Sequence, residues 1–210
     1  MSIKITTLVE NSVYGKGLQG EHGLSLLVDT GKYRLLFDTG ASDLFIRNAR
    51  ILGIDLKEVD FLVLSHGHRD HTGGLHHFLA VNDKAQVVCK RELFQLKFKD
   101  ERENGVMQPD ALDSTRFRFV DEVTELCRGV FVFPQLPVTD EEDTHFEHFF
   151  TWTEGRKQAD TFTDELALVL KQGVEVSVLS ACSHRGITNI IRAVQEYFPQ
   201  SSLKLVLGGF

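Results

Sequence analysis

The sequence predicts an α/β (α+β) fold in which two β-sheets face each other and helices cover their outer faces, a four-layer αββα arrangement. Three observations predict it. A strand hairpin followed by a helix is legible in residues 23–53, a second unit on the same plan is legible in residues 166–197, and no linker-like composition break separates them. With 210 residues, 42% of them hydrophobic and 25% charged, the chain has ordinary globular composition and reads as a single domain, 1–210.

Residues 23–40 hold two short apolar runs, Leu24 to Val28 and Leu35 to Phe37, parted by a polar turn containing Gly31. Ser42 or Asp43 is then expected to cap a helix whose Leu44, Phe45, Ala49 and Leu52 follow helical spacing and which ends near Gly53. The run Phe61-Leu62-Val63-Leu64 is too short for a helix and suits a buried strand. In the second unit, residues 166–170 and 174–179 flank a turn at Gln172-Gly173, and a helix follows that carries Ile190, Ile191, Ala193, Val194 and Tyr197.

The middle of the chain, around 96–160, reads as a lid or substrate-specific insertion. Residues 97–103 are highly charged, whereas Phe117 and Phe119, and Phe131 and Phe133, alternate as in strands. The segment 145–152, His-Phe-Glu-His-Phe-Phe-Thr-Trp, is dense in aromatics, for which core packing is favoured over a pocket wall.

A formal net charge of -7 argues against nucleic acid as a partner, because phosphate-backbone affinity rests on clustered Lys and Arg. No apolar stretch is long enough to span a bilayer, so no membrane partner is expected. Three widely spaced cysteines, Cys89, Cys127 and Cys182, fit a reducing compartment better than a disulfide framework. The N-terminal residues carry no signal-peptide pattern, and a cytoplasmic location is the expectation.

The chemistry concentrates in Ser65-His66-Gly67-His68-Arg69-Asp70-His71-Thr72-Gly73-Gly74, three imidazoles and a carboxylate directly after a buried strand. In extended backbone, residues two apart point to one side, so His66 and His68 can share an ion. A turn into a following helix then carries Asp70 and His71 towards a neighbouring one. Mixed imidazole and carboxylate donors suit one or two divalent ions, zinc first, with manganese and iron also admissible.

His66-x-His68-x-Asp70-His71 resembles the signature of the metallo-β-lactamase superfamily. The resemblance extends over nearly the whole chain, through Leu36-Phe37-Asp38-Thr39-Gly40, Asp164-Glu165-Leu166-Ala167-Leu168, Ala181-Cys182-Ser183-His184-Arg185-Gly186-Ile187 and Gly208-Gly209-Phe210. Together these are similar to a subgroup of metal-dependent hydrolases named for dihydropterin ribofuranosylaminobenzene phosphate synthase. The resemblance implies that His66 and His68 bind a first metal, that Asp70 and His71 bind a second, and that His184 adds a ligand from the opposite sheet. It makes Asp38 a partner that orients the ligand loop, beside the competing reading of Asp-Thr-Gly as a turn cap. Cys182 reads as a buried structural thiol in preference to a metal neighbour, and Asp164 and Glu165 as structural or supporting carboxylates.

In that subgroup the Gly-Gly-Phe run continues into His-Leu, whereas the sequence stops at Phe210. The fold is therefore expected to lack its C-terminal part. The second ion then depends on Asp70, His71 and bridging solvent, or on His145, His148 or the terminal carboxylate as a substitute. An uncovered sheet edge would favour a homo-oligomer.

The function expected is metal-dependent hydrolysis, metal-bound hydroxide attacking an ester, phosphoester or similar small-molecule substrate, with Asp70 as the catalytic carboxylate. Two alternatives stand beside it: a weakly active or non-catalytic metal- or metabolite-binding protein of the same fold, and an iron-dependent redox enzyme.

Overall fold

A computed structural model describes residues 3–106 and 115–209. The initial Met1-Ser2, part of the central stretch and Phe210, whose carboxylate was a candidate ligand, lie outside the described residues. Elements are numbered along the chain.

Six described strands form a first sheet in the order β1 (Lys4–Val9), β2 (Ser25–Asp29), β3 (Arg34–Phe37), β4 (Phe61–Val63), β5 (Gln86–Cys89) and β8 (Phe117–Phe119). The hairpin β2–β3 pairs antiparallel, Leu26 opposite Phe37, around a turn in which Gly31 takes φ 79°. From β3 onward the strands are parallel. The second sheet runs β15 (Ser202–Gly208), β14 (Glu175–Ser180), β13 (Ala167–Gln172), β10 (Val130–Phe133) and β9 (Thr124–Cys127).

The two halves repeat one plan. After β3, helix α1 (Leu44–Ile51) leads back to the parallel strand β4; after β14, helix α4 (Ile187–Tyr197) leads back to the parallel strand β15. The Ser42 hydroxyl accepts the Leu44 amide at 3.1 Å at the start of α1. Two shorter helices, α2 (Arg69–Thr72) and α3 (Leu75–Val81), follow β4.

Strand alternation builds the layers. On one side of the first sheet, Leu27, Leu36, Leu62 and Val87 pack with Phe45 and Ala49 of α1 and with Leu75 and Phe78 of α3. The opposite parity, Val28, Leu35, Phe37, Val63 and Val88, meets Val130, Val132, Leu168 and Leu170 of the second sheet. Behind that sheet, Phe133, Ala167, Val169 and Val178 pack on Ile190 and Val194 of α4. The result is the four-layer αββα order, and burial on both faces explains why the strands read as continuous apolar runs.

The stretch 96–160 does not stay together. Strand β8 joins the first sheet, and β9 and β10 join the second. A separate small sheet, in the order β12 (Arg156–Ala159), β11 (Phe149–Thr153), β6 (Lys97–Lys99) and β7 (Arg102–Glu103), stands over the ends of the main strands. Its loop is tied to the histidine cluster: the Arg69 amide donates to Asn104 O at 3.0 Å, and His68 bridges Gly105. No described helix is long and apolar enough to cross a membrane.

Candidate metal centre

The parallel strand β4 delivers Ser65 and His66 into the cleft between the sheets, and the chain turns at Gly67 into α2, for which His68 is the N-cap. Gly67 has no room for a side chain, because a Cβ there would lie 2.4 Å from Leu93 O. Gly23, at φ 129°, lets the opposite loop pass directly against α2; a Cβ at that position would sit 2.0 Å from Asp70 O. From the second sheet, the turn after β14 brings Cys182 and His184 to the same place.

His66, His68 and His184 converge, with ligand atoms within 4.8 Å of one another. Their Nε2 atoms are buried and have no hydrogen-bond partner among the described residues. Burial of an unsatisfied imidazole nitrogen is costly, and three pointing at one position are what a cation needs. The donor set is neutral nitrogen, suited to zinc.

Neighbouring groups fix the tautomers. A carboxylate accepts only, so Ser65 donates its hydroxyl hydrogen to Asp38 Oδ2 at 2.6 Å and must accept from His66 Nδ1 at 2.8 Å. His71 Nδ1 donates to the same Asp38 oxygen at 2.8 Å, and His184 Nδ1 donates to the His145 carbonyl at 3.0 Å. His66 and His184 thereby keep a lone pair on Nε2, the atom facing the cavity. Asp38, at φ 60°, also accepts the Ser65 amide at 2.7 Å, so its carboxylate ties the end of β3 to the start of the histidine loop, and no turn is formed at residues 38–40.

Electrostatics agree. Burial, followed by the charges of neighbouring imidazoles, holds His66 and His68 well below the usual histidine range, and burial brings His184 down to about 4. Burial opposes a charge on His71 too, but negative charge at Cys182 and the acceptors on Asp38 and Asp70 outweigh it and raise His71 well above that range. Burial likewise works against the Asp70 carboxylate, and the hydrogen bond and charge of His71 overcome it, keeping Asp70 well below the carboxylate range. Asp70 Oδ2 lies 3.3 Å from His71 Nε2.

Several neighbours were not foreseen. Cys182 is not a buried structural thiol: it lines the cavity, with Sγ 3.1 Å from His71 Nε2. Its sequence signal was a lone cysteine two residues before His184. Segment 145–152 does not pack into the core as expected. Phe149 instead forms cavity wall, its ring 4.8 Å from that of His68 and 5.0 Å from that of His184. Phe162 is fully buried, adopts φ 52° and stacks on His184 at 3.7 Å. The two substitute ligands do not arrive: His148 is exposed and pairs with Asp100 at 3.0 Å, and His145 is exposed and contributes its carbonyl.

Lys97, which opens the highly charged stretch 97–103, is fully buried beneath the histidine loop. It bonds Asp160 at 2.8 Å and Asp164 at 2.6 Å, and the other Asp164 oxygen accepts the Gly67 amide at 2.7 Å. Glu165 accepts the His184 and Arg185 amides at 2.9 and 2.8 Å. Asp164 and Glu165 thus support the two ligand loops from below.

The imidazoles open into a cavity of about 550 Å³ walled by His22, Asp70, Phe149 and Cys182, with Arg69, Lys99 and Arg102 among its lining. A cavity of about 640 Å³ beside α4, lined by Phe133, Pro134, Arg185 and Tyr197, contains none of the converging histidines, so the chemistry selects the smaller one.

Comparisons with known proteins agree with the fold. The family model of the metallo-beta-lactamase superfamily matches residues 18–164. The chain is 29% identical to the 7,8-dihydropterin-6-methyl-4-(beta-D-ribofuranosyl)-aminobenzene-5'-phosphate synthase of Methanocaldococcus jannaschii, over 100% of this chain and 77% of that protein. An uncharacterised protein of the same organism is also 29% identical, over 98% and 78%. Among solved structures, the metal-dependent hydrolase Tm1679 of the beta-lactamase superfamily superposes with a TM-score of 0.84 at 34% identity, over 100% of this chain and 77% of that one. The metallo-beta-lactamase MIM-1 of Novosphingobium pentaromativorans, at 16% identity and a TM-score of 0.52 over 89% and 69%, shares the fold. With its layer order, its histidine loop and a family match across most of its length, the chain belongs to the metallo-β-lactamase superfamily.

Proposed function

We propose that this protein is a metal-dependent hydrolase of small-molecule esters or phosphoesters, with a divalent ion, zinc by preference, on His66, His68 and His184 and a second on the Asp70 and His71 side. The observation that carries the reading is the set of three buried, unpartnered Nε2 atoms aimed at one position. A cation held there acts as a Lewis acid and lowers the pKa of water to about 7.

The residues supply the rest. Asp70, ionised and facing the cavity, can orient a water molecule or take its proton. Phe149 and Phe162 pack against His68 and His184, restrict water and hold the rings in place. Arg69, Lys99 and Arg102 bring three positive charges to the cavity of an otherwise acidic protein, and none forms an ion pair with another described residue. That lining suits an anionic substrate, and Phe149 offers a flat face for a ring. The name of the M. jannaschii relative, a 5'-phosphate carrying an aminobenzene, is of that character.

The test is metal analysis of the purified protein together with a panel of chromogenic esters, phosphomonoesters and phosphodiesters. Zinc at one or two equivalents with hydrolysis of a member of the panel is expected. His66→Ala with His68→Ala should lose both metal and activity; stoichiometric metal retained in that double variant would overturn the assignment.

A further inference from the structure

Apart from the metal centre, the second sheet carries a cavity of about 640 Å³ on its β10 side, a size within the range of about 300–1,000 Å³ usual for small-ligand sites. Its walls are largely apolar. Phe133 ends β10 and Tyr197 ends α4, with ring centres 5.3 Å apart, and Leu136 lies in the segment that follows Phe133. Pro134 and Pro137 restrict the backbone of that segment, so the wall is shaped before any ligand arrives. Lys90 and Arg185 stand in the same lining. We propose that this cavity is a second binding site, separate from the metal centre, for a small aromatic carboxylate, with its charged end on Lys90 and Arg185 and its ring against Phe133 and Tyr197. The proposal goes beyond the hydrolase reading and does not depend on it.

Both cations are half-buried and spend only part of their hydrogen-bonding capacity on the protein. Lys90 Nζ donates to the Pro134 carbonyl at 3.0 Å. Arg185 donates through Nε to the Leu136 carbonyl and through Nη1 to the Thr161 carbonyl, each at 2.6 Å. These acceptors are neutral, and no described carboxylate pairs with either side chain. The buried carboxylates nearby are committed elsewhere, Asp164 to Lys97 and the Gly67 amide, Glu165 to the His184 and Arg185 amides. Glu196, the carboxylate in the lining, is exposed. Burial holds the Lys90 ammonium below the usual lysine range; the charges of Glu92 and Asp164 oppose this, and that of Arg185 adds to it. Two half-buried cations on one apolar wall are stabilised by an anion placed between them.

The head group follows from the direction of α4. Ala193, Glu196 and Tyr197, which line the cavity, belong to the C-terminal part of that helix, where the carbonyl dipoles carry partial negative charge. Phosphate sites use the opposite end of a helix, whose free amides donate to the ligand. A singly charged carboxylate, matched to one ammonium and one guanidinium, is therefore favoured over a phosphate dianion.

The experiment is calorimetric titration of the metal-loaded protein with 2-naphthoate, compared with uncharged 2-naphthamide and with naphthalene-2-phosphonate. We expect 2-naphthoate to bind, the amide to bind about tenfold more weakly, and the phosphonate to bind no more tightly than the carboxylate. Lys90→Met should lower the affinity for 2-naphthoate about tenfold, and Ala193→Phe, which fills the cavity, should abolish binding. Lys99→Ala with Arg102→Ala, in the cavity of the metal centre, should leave it unchanged. No heat at millimolar 2-naphthoate, equal binding of the amide, binding that survives both Lys90→Met and Ala193→Phe, or a loss that follows Lys99 and Arg102 instead overturns the proposal. Tighter binding of the phosphonate overturns the choice of head group. If Ala193→Phe does not fold, Lys90→Met and the amide still decide. Each of these outcomes leaves the metal-centre reading standing, because none of them tests His66, His68 or His184.

Discussion

Asp38 Oδ2 accepts the Nδ1 hydrogen of His71 at 2.8 Å, and both side chains are withdrawn from solvent. The same oxygen accepts the Ser65 hydroxyl, which in turn accepts from His66. One carboxylate therefore orients two rings, His71 directly and His66 through Ser65. Asp38→Asn can keep the size but presents a donor where both partners donate. We expect metal affinity to fall about 10- to 100-fold, the range for loss of such an orienting partner. Competition with a chromophoric chelator measures it, and unchanged affinity would refute the orienting role.

The buried Lys97 makes a different prediction. Its ammonium pairs with both Asp160 and Asp164, and Asp164 holds the Gly67 amide within the ligand loop. Burial opposes a charge on Lys97, yet the two carboxylates hold its pKa above the ordinary lysine value. Lys97→Met leaves two buried carboxylates without a cation, which should cost about 3–5 kcal/mol in denaturant unfolding of the metal-free protein. Adding Asp164→Asn should recover part of that loss. A single variant within experimental error of the unsubstituted protein would mean that the triad contributes nothing to stability.

Stability of the metal-free protein should fall with acid in a defined window. An unfolded chain protonates His184 near pH 6.5, whereas in the fold burial delays this to about 4. Between those values the unfolded state holds more protons, so unfolding becomes easier as pH drops through the window. His184 alone accounts for about 3 kcal/mol of this. His66 and His68 shift in the same direction. His71, shifted upward, contributes in the opposite sense and above pH 6.5. Chemical denaturation from pH 4 to 7 checks the slope, and His184→Asn should flatten it; a flat profile in the unsubstituted protein would contradict the burial argument.

What the sequence made legible was local. Both hairpins, α1 and α4 were readable because strands buried on two faces give unbroken apolar runs and Gly31 and Gly173 mark the turns. The loop from His66 to His71 was readable because its donors are adjacent in sequence. The residues missed are those whose meaning depends on distant partners. Lys97 meets its carboxylates 63 and 67 positions away, so nothing in its highly charged neighbours marked it as buried. Cys182 meets His71 across 111 positions, and a lone cysteine carries no spacing signal. Phe149 belongs to a cluster that resembles core by composition, but β11 lies in the small sheet over the cavity rather than between layers.

That small sheet leads to the last expectation. Lys99 and Arg102, on β6 and β7, face the cavity with Arg69, and the Lys99 ammonium lies 5.5 Å from the centre of the Phe149 ring. Being exposed, these cations gain little from fixed pairing within the protein and keep their donors for a ligand. If they recognise an anionic group, Lys99→Ala with Arg102→Ala should lower kcat/KM for a phosphoester roughly fivefold, mostly through KM, as expected for a contact made equally in the bound and reacting states. A neutral ester of similar size should be hardly affected, and the preference for the anion should weaken as salt is raised, since charges about 8 Å apart are screened at physiological ionic strength. Equal loss on charged and neutral substrates would show that the two residues maintain the small sheet rather than read the substrate.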